Sequence, residues 1–111
     1  MDNIKNYRYY VVKIITDLAF ITAQTEGLSR RQLEENEVLI DSVMFRLIQV
    51  SENSDKLTEA FKKQYSAIPW RAIKGLRNRI VHEYGNVNLS VVYDTVFEDI
   101  PALLRELEGI V

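Results

Sequence analysis

The stretch R-N-R-I-V-H-E-Y-G, residues 77 to 85, holds the side chains best suited to chemistry: Arg77, Asn78, His82 and Tyr84. His82 is the only histidine of the chain. An imidazole titrates near neutrality, so it can give or take a proton in a reaction. A guanidinium is always charged and forks onto phosphate or carboxylate oxygens. Asn78 and His82 are four residues apart, which makes them neighbours on a helix. The same residues have a plainer reading. A histidine near a helix C-terminus is favoured by the helix dipole. An arginine can lay its stem along apolar surface and reach water.

Which reading holds depends on the helix that carries them. Pro69 is suited to the first turn of a helix, and Gly85 to its end, so the spacing predicts a helix from about Trp70 to Tyr84. On a wheel of about 100° per residue, Trp70, Ile73, Leu76, Ile80, Val81 and Tyr84 spread over roughly 140°. Arg77 falls inside that apolar arc, where a charge needs a partner. Arg71, Gly75, Asn78 and His82 share the adjacent flank. Gly75 costs a helix about 1 kcal/mol relative to alanine, and it leaves space for another helix or a ligand to approach.

The remaining elements also read as helices. Only 4 glycines and 2 prolines occur, and no segment alternates strictly between turn signals. Ile4, Tyr7, Val11, Ile14, Leu18, Ile21 and Thr25 form a helical stripe that ends near Gly27. Ser29, with Gln32 three residues later, opens a second helix by a capping box. That helix is polar at first and then apolar almost all round to Val50, so it must be covered on more than one side. Ser54 or Asp55 is expected to cap a short third helix bearing Leu57, Phe61 and Tyr65. Asn88 or Ser90 is expected to cap a last helix carrying Val92, Val96, Ile100, Leu103, Leu104, Leu107 and Ile110. Pro101 should kink or divide it. The expected fold is all-α: one domain over residues 1–111, an up-and-down bundle of about five helices with a long N-terminal antiparallel hairpin.

Composition narrows the function classes. The chain has 111 residues, 47% hydrophobic and 27% charged, which is ordinary for a globular protein. With no cysteine and one histidine it can build neither a disulfide nor a thiolate or histidine-rich metal site. No apolar run approaches the roughly 18 to 20 residues of a membrane span, and the N-terminus lacks a signal-peptide pattern. A cytoplasmic protein without membrane or metal is expected. The net charge of −2 conceals an asymmetry. From Phe61 to His82 there are six bases and no acid, leaving eight bases against sixteen acids elsewhere. Such a basic patch can attract a polyanion, although a solvated helix face has the same composition.

The segment "RNRIVHEY" reads R-x4-H-x-Y with an asparagine directly after the arginine. It resembles the motif of the HEPN superfamily, specifically the HepT-like toxins of prokaryotic toxin–antitoxin pairs. "IPWRAIKGLRN" resembles that family's entry to the motif helix, and "VFEDIPALL" its final helix. The resemblance runs through the whole chain in element order. The motif shows no departure, while the first hairpin is somewhat shorter than in larger relatives, which bears on the partner surface.

The resemblance implies a metal-independent endoribonuclease that needs no cofactor and acts as a homodimer with motif helices facing each other. Arg77 and His82 would be the catalytic pair and Asn78 their polar companion. Tyr84 would be the tyrosine to which a partner antitoxin, a minimal nucleotidyltransferase, adds AMP. Arg71, Lys74 and Arg79 would guide RNA. The chemistry is compatible with these roles. RNA is cut without metal when its 2′-hydroxyl attacks the adjacent phosphorus, given a base, an acid and a cation beside the transition state. One histidine per chain leaves one proton-transfer role empty, which a two-fold dimer would fill. A different class remains open: a non-catalytic helical module that binds a nucleotide or a nucleotidyltransferase and cuts nothing.

Overall fold

A computed structural model of the chain describes residues 4–83 and 89–111, with side chains described for 7–75, 78 and 92–111. Every regular element among the described residues is helical: α1 Ile4–Thr25, α2 Arg30–Glu34, α3 Glu37–Ser54, α4 Glu59–Gln64, α5 Trp70–Glu83, α6 Leu89–Asp94 and α7 Ile100–Glu108, with a π-helical turn at Thr95–Asp99 joining α6 to α7.

The stripe of α1 becomes its buried face. Val11, Ile14, Leu18, Ile21 and Thr25 alternate three and four apart and are all buried. They pack on Ile40, Val43, Met44, Leu47 and Val50 of α3 in an antiparallel hairpin. One ion pair locks its register: Arg46 Nη1 donates to Asp17 Oδ1 at 2.8 Å. The same guanidinium lies 3.9 Å from the ring centroid of Phe20. α1 stops where Gly27 takes φ +79°, in the left-handed region open to glycine.

The second helix begins as its sequence predicts but does not run on unbroken. Ser29 Oγ accepts from the Gln32 N–H at 3.1 Å, and Gln32 Oε1 accepts from the Ser29 N–H at 2.8 Å. This capping box starts α2, which buries Leu33 and then ends. Asn36 restarts the chain as α3, its Oδ1 accepting from the Leu39 N–H at 3.0 Å. An asparagine that caps its own neighbours competes with helix continuation. α3 is covered by α1 on one side and α5 on another, as its apolar girth requires, although Val38 and Phe45 remain exposed.

Neither Ser54 nor Asp55 caps the third helix. α3 extends to Ser54, whose Oγ donates back to the Ser51 carbonyl at 2.9 Å. Leu57 then turns into the core, and Thr58 is the cap of α4, accepting from the Phe61 N–H at 3.2 Å. For the last helix, Asn88 lies outside the described residues and Ser90 sits within α6 rather than capping it.

Pro101 divides the last helix as expected, and the division takes a particular form. Proline has no N–H, and its ring would collide with the carbonyl four residues before it. The backbone widens just upstream, so that the Ile100 N–H reaches the Thr95 carbonyl, five residues back. The buried stripe Val92, Val96, Ile100, Leu103 and Leu107 continues across this turn, and α7 packs on α1.

Candidate active site

The entry to α5 is built by aromatic packing and backbone bonds. Phe61, buried on α4, stands at 4.8 Å between ring centroids from Tyr7, 4.9 Å from Tyr65 and 6.5 Å from Trp70. Tyr7 Oη also lies 3.2 Å from Thr58 Oγ1. Tyr7 near the start of α1, Phe61 of α4 with its flanking residues Thr58 and Tyr65, and the first residue of α5 therefore share one cluster. Trp70 Nε1 donates to the Tyr65 carbonyl at 3.1 Å, and the Ile68 N–H donates to the same oxygen at 3.1 Å. The Ile73 N–H closes the first turn on the Pro69 carbonyl. These bonds fix the origin and direction of the helix that carries the motif.

Along α5 the register is clear. Ile73 is buried and Trp70 half-buried on the side facing the bundle, where α5 packs on α3. Arg71, Lys74, Gly75 and Asn78 are exposed. Positions 77 and 82 both belong to α5, five residues apart, hence about 7.5 Å along the axis and about 140° around it. Position 77 follows buried Ile73 by four residues, and position 82 follows exposed Asn78 by four. The helix register thus puts position 77 on the line of Ile73 and position 82 on the line of Asn78. The side chains of Leu76, Arg77, Arg79, Ile80, Val81 and His82 lie outside the described ones, and Tyr84 lies outside the described residues. Of the predicted site residues, Arg71, Lys74 and Asn78 have described side chains, and all three are exposed on this one helix.

Beside α5 lies a half-open groove of about 700 Å³. Ala72 and Gly75 form one wall, and Asp94, Glu98, Asp99 and Glu106 line the other. A methyl group added at Gly75 would meet nothing within 4 Å, so the space the glycine leaves is open. The groove exists because α5 packs on α3 while α7 packs on α1. Its acidic lining was not read from the sequence. The sequence shows the close spacing of Asp94, Glu98 and Asp99 ahead of Pro101, but not the helix packing that makes them line a groove.

Among the described residues no group of three His, Cys, Asp or Glu is placed to hold a metal ion. Among the described residues, no helix is long and apolar enough to cross a membrane.

Comparison with known proteins adds independent findings. A family model described as ribonuclease HepT-like matches residues 13–110. A protein of Caldanaerobacter subterraneus subsp. tengcongensis named "Putative RNase TTE0752" is 27% identical over 106 residues, covering 96% of this chain and 95% of that protein. A Thermococcus cleftensis protein named "Probable ribonuclease HepT" is 29% identical over 98 residues, covering 85% of this chain and 89% of that protein. A Methanocaldococcus jannaschii protein named "Putative RNase MJ0127" is 23% identical over 107 residues, covering 96% and 88% respectively. No solved structure matches.

Proposed function

The chain belongs to the ribonuclease HepT-like family of the HEPN superfamily, a family of RNA-cleaving enzymes, and on that footing we propose a metal-independent endoribonuclease toxin whose active site is completed across a homodimer. The observation that carries this reading is the placement of the motif. A single histidine and an arginine five residues before it sit on one helix, about 140° apart around its axis. One helix so arranged cannot put both groups on one phosphate with ease. Two such helices face to face can.

The mechanism follows from the groups available. The 2′-hydroxyl attacks the adjacent phosphorus, and its proton passes to one His82 acting as base. The bond from phosphorus to the 5′-oxygen breaks, and that oxygen takes a proton from the partner subunit's His82 acting as acid. The products are a 2′,3′-cyclic phosphate and a 5′-hydroxyl. Arg77 lies along the non-bridging oxygens and stabilises the charge that grows on them. Asn78, four residues before His82, orients the imidazole or the phosphate. Arg71, Lys74 and Arg79 attract the strand.

Neutralisation is read from sequence spacing: Tyr84 follows Arg77 by seven residues, almost two turns of a continuous helix. A nucleotidyltransferase antitoxin that transfers AMP to its hydroxyl, releasing pyrophosphate from ATP, would place a bulky anion where the RNA phosphate must sit.

The direct test is incubation of the purified, unmodified protein with RNA in the presence of a chelator. Cleavage that leaves cyclic phosphate ends and is lost in His82→Ala supports the reading. Equal background cleavage by wild type and His82→Ala refutes it.

A further inference from the structure

The described cations divide into two groups. Arg30, Arg31 and Arg46 are each held by a carboxylate at 2.7 to 2.8 Å. Lys62 and Lys63 on α4, and Arg71 and Lys74 on α5, form no ion pair with any described residue, as is also true of Arg8, Lys13, Lys56 and Arg105. The first four share the acid-free run from Phe61 to His82. Three of these four are exposed and Lys62 is half-buried. In sequence they flank the junction of α4 and α5, with the half-buried rings of Tyr65 and Trp70 between them.

The two flanks of the first turns of α5 differ in charge. α4 lies against the Trp70 flank, through the Phe61 ring and the bond from Trp70 Nε1 to the Tyr65 carbonyl. At about 100° per residue, positions 74 and 77 fall within about 40° of Trp70, on that same flank. Positions 72 and 75 fall about 140° to 160° away, and they border the groove lined by Asp94, Glu98, Asp99 and Glu106. Along these first turns a polyanion is repelled on the groove side and attracted on the α4 side, whereas positions 79 and 82, farther along, fall on the same side as 72 and 75.

We propose that single-stranded RNA reaches the active centre over the α4 flank of α5, with its phosphates on Lys62, Lys63 and Lys74. The acidic groove disfavours an approach along the first turns of the opposite flank. From Trp70 to position 82 the helix rises about 18 Å, and α4 lengthens the track further. The enzyme therefore takes a strand of several nucleotides rather than a dinucleotide, and the half-buried rings of Tyr65 and Trp70 lie along the way. This rests on the ribonuclease reading, but its test does not require cleavage.

The probe is a fluorescein-labelled, fully 2′-O-methylated single strand of about a dozen nucleotides, a length within known single-strand site sizes. It cannot be cut, because it has no free 2′-hydroxyl. Its anisotropy is followed against salt with full-length wild type, with Lys62→Gln/Lys63→Gln, and with a control of equal charge change, Lys13→Gln/Arg105→Gln. The α4 variant is expected to bind several-fold more weakly, and its salt dependence to be shallower by about 1.4 in log–log slope, from two contacts at about 0.7 each on a single strand. The control is expected to match wild type. KM for a long cleavable RNA should rise with the loss of affinity. Equal affinity and slope in wild type and the α4 variant would overturn the proposal, as would an equal loss in the control. Loss of binding in the α4 variant alone, with no cleavage by any form, would support the track while refuting the catalytic reading.

Discussion

Trimming the aromatic cluster at the entry to α5 tests whether that cluster positions the motif helix. Phe61 is buried and touches three rings from three parts of the chain. Phe61→Ala deletes a buried ring, a change that costs about 3–5 kcal/mol in packed cores. Against a typical domain stability of about 5–15 kcal/mol that is a large fraction. Trp70→Phe is far milder. It removes the Nε1 donor, but the Tyr65 carbonyl keeps its bond from the Ile68 N–H, so no acceptor is orphaned. One neutral hydrogen bond and part of a half-buried ring amount to about 1–2 kcal/mol. The assay is urea unfolding followed by circular dichroism, because Trp70 is the only tryptophan and its replacement removes the fluorescence signal. Native-state hydrogen exchange should report faster opening of the first turns of α5 in Trp70→Phe before any change in the α1–α3 hairpin. Equal costs for the two variants, or a Trp70→Phe effect spread evenly over the whole chain, would refute the idea that this cluster anchors the motif helix in particular.

Other substitutions probe the scaffold and the proposed regulation. Gly27→Ala forces a side chain into the left-handed region and should lower stability by about 1 kcal/mol in thermal or urea unfolding. Asp17→Ala leaves the Arg46 guanidinium without its 2.8 Å partner and should cost about 1.5–3 kcal/mol, while Asp17→Ala/Arg46→Met should recover part of the loss. Co-expression with a nucleotidyltransferase partner should raise the intact mass by AMP units in wild type and leave Tyr84→Phe unchanged. A mass shift that persists in Tyr84→Phe would remove that tyrosine as the acceptor.

The long elements were legible because their signals were redundant. In α1 the apolar spacing, the glycine stop and the following capping box all agree, and the structure follows each of them. The breaks were harder, because they turn on competition between near-equal alternatives. Asn36 could have sat in a continuous helix, yet its side chain caps the next turn. Ser54 could have started α4, yet it bonds backwards into α3 and leaves the cap to Thr58, which also meets Tyr7 from a distant part of the chain. That partner, 51 residues away, is a tertiary fact no local pattern carries. Pro101 announced a disturbance but not its form, the π turn over Thr95–Asp99. At the candidate site, the helix, its entry at Pro69 and Trp70, and the exposure of Arg71, Lys74 and Asn78 were readable from periodicity. The acidic groove was not, because it arises from two helices packing on different neighbours.

The central claim is a site that needs both subunits, and hybrid dimers test it most directly. Wild-type and His82→Ala protomers carrying different affinity tags are co-expressed, the hybrid is isolated, and its RNA cleavage is compared with both homodimers. A shared site that uses one imidazole as base and the other as acid predicts hybrid activity close to that of the His82→Ala homodimer, lower than wild type by about 100-fold or more. A hybrid that keeps about half of the wild-type rate would show two independent sites, one per subunit, and would contradict the account.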